Sequence, residues 1–278
     1  MKLIDGKAIA AEIRAELKLK IEKCERKPGL AVVIVGDDPA SRIYVRNKIK
    51  ACQELGIRSY SYELPAESTQ IEVEVLLDKL AVNDDVDGIL LQLPLPKHLD
   101  AESATSRIPF EKDVDGFSVK NLGLLIQNKH SIAACTPSGV MKLLEKEGVA
   151  LAGKNAVVLG RSETVGKPMA MLLLNANATV TICHSKTKNL TKICKDADII
   201  VSAVGKPRFV TEDMVKEGAI VIDVGMNRDE NGKLCGDVDF ERVKDKTSLI
   251  TPVPGGVGPM TITMLMYNTY LIARRKKI

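Results

Sequence analysis

The stretch Asn155–Lys188, NAVVLGRSETVGKPMAMLLLNANATVTICHSKTK, decides the fold. It opens on an apolar, β-branched run at Ala156–Leu159 and turns at Gly160. It then passes through Val165, Gly166, Lys167 and Pro168 into an apolar segment of helical spacing, and returns to a second β-branched run at Thr179–Cys183. Strand, glycine turn, helix and strand in that order make a parallel βαβ unit of the dinucleotide-binding kind. The glycine pattern is irregular, G-x-S-x-x-x-G instead of G-x-G-x-x-G, so on its own it reads equally well as an ordinary strand-to-helix turn. Physically the turn still suits a phosphate: Gly160 permits the bend, Ser162 carries a hydroxyl donor, and the first amides of the helix attract anions.

The end of the second strand tips the balance. An NAD site usually carries an acidic residue there for the ribose hydroxyls, whereas a 2′-phosphate needs cations and hydroxyls. This chain offers His184, Ser185, Lys186, Thr187 and Lys188, with Arg161 in the first turn. That set favours NADP over NAD.

Further apolar runs lie at Leu30–Val35, Gly88–Leu91, Ile199–Val204 and Ile220–Val224, separated by stretches with helical period. The alternation predicts an α/β protein with parallel sheets. A change of character at Phe117–Gly139, before the fresh strand at Asn155, predicts a domain boundary. A proline- and glycine-dense loop, TPVPGGVGP at Thr251–Pro259, precedes a final helix from about Met260 to Arg274 that is expected to pack on the first domain.

Composition narrows the function class. The 278 residues are 45% hydrophobic, enough for two ordinary domains, and the net charge of +4 is spread along the chain apart from the run Arg274–Lys277. Aromatic residues, at 3%, are too few for nucleic-acid stacking platforms, and the terminal cations suit a helix C-terminus. The N-terminal segment interleaves charges with apolar residues and reads as neither signal peptide nor membrane span. Six cysteines (Cys24, Cys52, Cys135, Cys183, Cys194, Cys235) and three histidines (His98, His130, His184) show no metal-ligand spacing and no disulfide framework, which suits a reducing cytoplasm.

The segment Asp37–Gly56 reads as a helix with an acidic cap, proline in its first turn and a glycine stop. Val45, Ile49 and Cys52 form a core stripe; Tyr44, Lys48, Ala51 and Leu55 form the adjacent one. A lysine on such a face often only snorkels. Partial desolvation would instead lower its pKa and, with Tyr44 one turn away, make it a proton donor and acceptor near neutral pH. Gln92 follows the run Gly88–Leu91, so it stands at the carboxyl end of a parallel strand, where either a site role or a loop role fits. The acids in EKDVDGF (Glu111–Phe117) suit a metal, a helix cap or a nitrogen heterocycle, metal being disfavoured by the lack of further ligands.

With these pieces in hand, the chain resembles the bifunctional methylenetetrahydrofolate dehydrogenase and methenyltetrahydrofolate cyclohydrolase family of the FolD type. The resemblance is carried in family order by SRIYVRNKIKACQELGI, DGILLQLPLP, EKDVDGF, CTPSGVMKLL, GRSETVGKPMAMLL, CHSKT, ADIIVSAVGKP, VIDVGMN, GDVDF and TPVPGGVGPMTITML. Ala134 and Thr164 depart from residues common in the family, and neither is expected to do chemistry. The resemblance implies a folate-binding catalytic domain at 1–119 with 256–278, a Rossmann-like NADP-binding domain at 120–255, and an active site in the cleft between them. It implies Lys48 as general acid and base, Tyr44 as its positioning partner, Gln92 as the group that tunes it, and Asp115 as the pterin holder. Pro254, Gly255 and Gly258 would border the folate, and Gly160, Arg161, Ser162, Ser185 and Met226 would contact NADP. A homodimer is implied as well.

Two rivals remain at this point. The short-chain dehydrogenases also use a Tyr-x-x-x-Lys pair, but there the pair follows the nucleotide turn, whereas Tyr44 and Lys48 precede Gly160. A non-catalytic NADP or folate module is opposed only by the joint presence of Tyr44, Lys48, Gln92 and Asp115.

Overall fold

A computed structural model describes residues 1–129 and 132–275; His130 and the last two cations of the terminal run, Lys276 and Lys277, lie outside the described residues. Along the chain run β1 (Lys2–Leu3), α1 (Gly6–Glu22), β2 (Gly29–Val35), α2 (Pro39–Leu55), β3 (Arg58–Leu64), α3 (Gln70–Ala81), β4 (Gly88–Leu91), α4 (Ala101–Ser106), α5 (Val119–Ile126) and α6 (Cys135–Lys146). Then come β5 (Asn155–Leu159), α7 (Gly166–Asn175), β6 (Thr179–Cys183), α8 (Leu190–Lys195), β7 (Ile199–Ser202), β8 (Ala219–Asp223), β9 (Asn227–Arg228), β10 (Leu234–Cys235), α9 (Phe240–Val243), β11 (Thr247–Ile250) and α10 (Val257–Arg275).

The chain forms two compact units, each assembled from three segments. One comprises Met1–Ala11, Leu125–Lys129 and Thr136–Thr261; the other Glu12–Leu124, His130–Cys135 and Ile262–Ile278. The sequence reading gives residues 1–119 to a single domain. The first unit instead takes the N-terminus, because Lys2 and Leu3 pair in parallel with Leu249 and Ile250 of β11.

The second unit is built on the parallel sheet β3–β2–β4. Every residue of β2 is buried. Since successive side chains of a strand point to opposite faces, Leu30, Val32 and Ile34 enter one core with Met264, Leu265, Met266 and Tyr270 of α10. Ala31, Val33 and Val35 enter another with Val73, Leu77 and Leu80 of α3. A strand covered on both sides has no polar face, which is why it reads as an uninterrupted apolar run.

Helix α2 follows its local signals: Asp38 accepts from the Ser41 amide at 2.7 Å, Pro39 fills the first turn, and Gly56 closes the helix in the left-handed region. Val45 and Cys52 are buried, with Ile49 packed against the same core. Helix α10 begins three residues earlier than Met260, taking Gly258 and Pro259 into its first turn.

The first unit is a six-stranded sheet ordered β1–β11–β8–β7–β5–β6, parallel throughout. Between β6 and β7 the chain crosses from one side of β5 to the other. This is the topological switch at which open α/β sheets leave a crevice beyond the carboxyl ends of their strands.

Candidate active site

In the second unit the residues expected to do chemistry come together. The Lys48 ammonium on α2 donates from Nζ to Gln92 Oε1 at 2.9 Å. Gln92 stands just past β4, its backbone amide donating to Val33 O at 2.8 Å and its Nε2 to Leu93 O at 2.6 Å, so both ends of its amide are committed. The Leu93–Pro94 peptide is cis. Tyr44, one turn before Lys48, is 38% exposed.

Burial pulls the Lys48 amine below its ordinary range, an effect partly opposed by the neighbouring Asp115 carboxyl. Asp115 keeps some surface open, yet the dense protein around its carboxyl raises its pKa to about 6; Lys48 pulls it back down, and Asp113 adds a further small push upward. Cys135, at the start of α6, is buried beside both, and burial pushes its thiol well up, so at neutral pH it is an uncharged SH. Asn268 of α10 donates to Val114 O at 2.9 Å and to Ala133 O at 3.1 Å, fixing the backbone on either side of this group.

The two aspartates of EKDVDGF divide their labour. Asp113 accepts from the Gly116 and Ser118 amides at 2.9 and 2.7 Å and from Asn121 Nδ2 at 3.0 Å, so it braces the turn. Asp115 is left for other work. Among the described residues no cluster of three or more His, Cys, Asp or Glu side chains is placed to hold a metal.

In the first unit a pocket of about 440 Å³ opens beyond β5, β6 and β7. It is lined by Gly160, Arg161, His184, Ser185, Lys206 and Phe209 among others. Two glycines shape it. Gly160 has φ +118°, and a Cβ there would lie 2.4 Å from Ala203 O; a Cβ on Gly166 would lie 2.3 Å from Gly160 O. Ser162 Oγ accepts from the Val165 and Gly166 amides at 3.2 Å each, which orders the start of α7 and leaves the hydroxyl hydrogen unspent by those bonds. Thr187 Oγ1 accepts from the His184 amide at 2.8 Å, tying the loop that presents Ser185.

Of the basic loop, His184, Ser185 and Thr187 line the pocket, while the exposed Lys186 and Lys188 are not among its lining residues. Lys206 is: sequence reasoning passed it over, although it follows a strand end and a positive-φ glycine, Gly205. Met226 is 54% exposed, beside Gly225. In the proline–glycine loop Val253–Pro254 is cis, and Gly255, at φ +105°, accepts through its carbonyl from the Lys7 amide at 3.1 Å. A Cβ on Gly258 would meet open space.

Both halves of the chain match known family models: residues 4–115 the tetrahydrofolate dehydrogenase/cyclohydrolase catalytic domain, and residues 134–277 the NAD(P)-binding domain of the same proteins. The chain belongs to the tetrahydrofolate dehydrogenase/cyclohydrolase family. It is 56% identical to the bifunctional protein FolD of Campylobacter hominis, the match covering 99% of this chain and 98% of that one. Among solved structures, the bifunctional FolD enzyme of Campylobacter jejuni is 50% identical with a TM-score of 0.96, covering 99% of both chains. The Trypanosoma brucei methylenetetrahydrofolate dehydrogenase-cyclohydrolase, solved with NADP cofactor and an inhibitor, is 41% identical with a TM-score of 0.93, covering 99% of this chain and 98% of that one. Family membership thus extends over both units, and over the Lys48 group as well as the glycine-shaped pocket.

Proposed function

We infer that the chain is an NADP-dependent enzyme that oxidises 5,10-methylenetetrahydrofolate to 5,10-methenyltetrahydrofolate and then hydrolyses this product to 10-formyltetrahydrofolate. The observation that carries the reading is the Lys48 amine, partly desolvated and hydrogen-bonded to Gln92, in a chain that matches the family along both domains.

The pocket beyond β5 fits NADP on its own terms. The Gly160–Gly166 contact leaves no room for side chains where a pyrophosphate would approach the backbone, and Arg161 and Lys206 supply the cations for phosphate. Gly160, Arg161, Ser162, Ser185 and the backbone at Met226 are the proposed cofactor contacts. Bound there, NADP supplies the hydride acceptor that side chains do not provide.

The chain's own residues do the rest. Lys48 Nζ, lowered by burial, gives and takes protons as water adds to the methenyl carbon and the ring opens. Gln92 Oε1 keeps that amine aimed. Asp115, ionised above about pH 6, accepts hydrogen bonds from the pterin N–H groups. Tyr44 borders the substrate beside Lys48, and Pro254, Gly255 and Gly258 are proposed as further folate contacts.

Residues 1–119 with 256–278 are proposed to serve the folate and 120–255 the cofactor, apart from the β1 strand noted above. No described helix is long and apolar enough to cross a membrane. The reading further proposes a cytoplasmic homodimer. Absorbance during incubation with methylenetetrahydrofolate and NADP tests the function: reduced cofactor without accumulating methenyl product is expected, and no reduced cofactor from folded protein would refute it.

A further inference from the structure

The motif GDVDF (Gly236–Phe240) carries a carboxylate with no role in the chemistry described so far. Asp237 is fully buried. Its Oδ2 accepts from the Val204 amide at 2.7 Å, the Gly205 amide at 3.3 Å and Ser202 Oγ at 3.2 Å. Its Oδ1 accepts from the Lys206 amide at 3.0 Å and from Asn227 Nδ2 at 2.9 Å. Three successive backbone N–H groups converging on one anion form a nest, a concavity that ordinarily captures a bound anion and is here filled from within the chain.

The surroundings are built for it. A Cβ on Gly225 would lie 2.3 Å from Asp237 Oδ1, and a Cβ on Gly236 would lie 1.9 Å from Asp223 Oδ2. Asp223 in turn accepts from the Asp237 and Val238 amides at 2.9 Å each, holding the backbone that carries Asp237. The segment so gripped is the one that lines the pocket: Ala203, Val204 and Lys206 all face it, and Ala203 O is the atom against which Gly160 packs.

We propose that Asp237 is the positioning residue of the cofactor pocket, its buried carboxylate fixing the Ala203–Lys206 backbone and thereby the wall that presents Lys206 and supports the Gly160 turn. The proposal rests on the NADP reading above and adds to it a residue that touches no cofactor. Replacing the carboxylate by a carboxamide of equal size removes the charge and turns one acceptor into a donor facing amide donors, so the loop must reorganise.

The test is NADP affinity of the full-length protein, measured by equilibrium titration, alongside hydrolysis of methenyltetrahydrofolate without NADP. Asp237→Asn is expected to weaken NADP binding by about tenfold or more, the loss of hydrogen bonds to a charged group, while NADP-free hydrolysis stays within about twofold. Ser202→Ala, which removes one donor outside the pocket, is expected to weaken NADP by about threefold with the same hydrolysis, and it decides the matter should Asp237→Asn fail to fold. Unchanged NADP affinity in the variants overturns the proposal, as does a parallel loss of hydrolysis, which would mark a merely structural role. Wild-type protein that binds no NADP overturns the functional reading and this proposal together; equal binding by wild type and variants overturns this proposal alone.

Discussion

Lys48 Nζ and Gln92 Oε1, 44 positions apart in the chain, meet at 2.9 Å, and the Gln92 carboxamide is locked in that orientation by its own bond to Leu93 O. Because an ammonium has only donors, the fixed Oε1 holds it in one place without neutralising it. Replacing Lys48 by methionine keeps the stem and removes the proton carrier. Hydrolysis of methenyltetrahydrofolate is then expected to fall by roughly 10²–10⁴-fold, the usual span for a positioned acid or base, with folate affinity within a few-fold. Undiminished hydrolysis in Lys48→Met would remove Lys48 from the mechanism.

Asp115 and Lys48 act on each other in opposite senses. The carboxylate raises the Lys48 value that burial lowers, so Asp115→Asn should move the Lys48 titration midpoint still lower, readable by NMR of ¹³C-labelled lysine. An upward or null shift would contradict the pairing. The acid limb of kcat/KM expected near pH 6 should vanish in the same variant.

That raised value also has a sign for stability. The folded protein holds the Asp115 proton more tightly than the unfolded chain, so the group favours folding at low pH, and the contribution is lost as pH rises from 3.8 through about 6. Asp115→Asn is therefore expected to raise Tm at pH 8 relative to wild type and to change it little at pH 4. Thermal melts at the two pH values check this, and a loss of Tm at pH 8 would contradict it.

Gly160→Ala would force a left-handed backbone onto alanine and drive its Cβ to 2.4 Å from Ala203 O. Strain of this kind costs about 1–3 kcal/mol. The expected result is a lower Tm and NADP binding weakened by about tenfold or more, while cofactor-free hydrolysis persists in the folded fraction. Wild-type NADP affinity would show that the turn does not set the pocket.

Arg161 and Lys206 both line the pocket wall. If Arg161 meets the 2′-phosphate, Arg161→Ala should raise KM for NADP by about tenfold or more and leave KM for NAD within about twofold, since a charge-assisted contact contributes roughly 1.5–3 kcal/mol. Equal losses for both nucleotides would place the arginine elsewhere on the cofactor.

What could be read from the chain alone followed from local physics. Strands β2, β4, β5, β7 and β8 are apolar runs because parallel strands with covered faces have no polar side, and α2 announces itself through Asp38, Pro39 and Gly56. Strand β3, RSYSYEL, escaped because it is an edge strand left partly exposed, its polar residues alternating with tyrosines, a pattern equally compatible with a loop. The helical spacing paired Tyr44 with Lys48, but the grouping of Lys48 with Gln92 was legible only through resemblance: no spacing rule brings residue 48 to residue 92. Lys206 and Asp237 were missed for the same reason, since the first gains meaning only when β7 lies beside β5, and the second only when the loop after β7 folds over it.

The pairing of Lys2 and Leu3 with Leu249 and Ile250 sets an order of events during synthesis. Lys2 and Leu3 find their place only once β11, the last of these strands in chain order, has been translated. Because contacts so distant along the chain carry a large loop-closure entropy, this sheet is expected to be completed late, after the strands around β5 have already assembled.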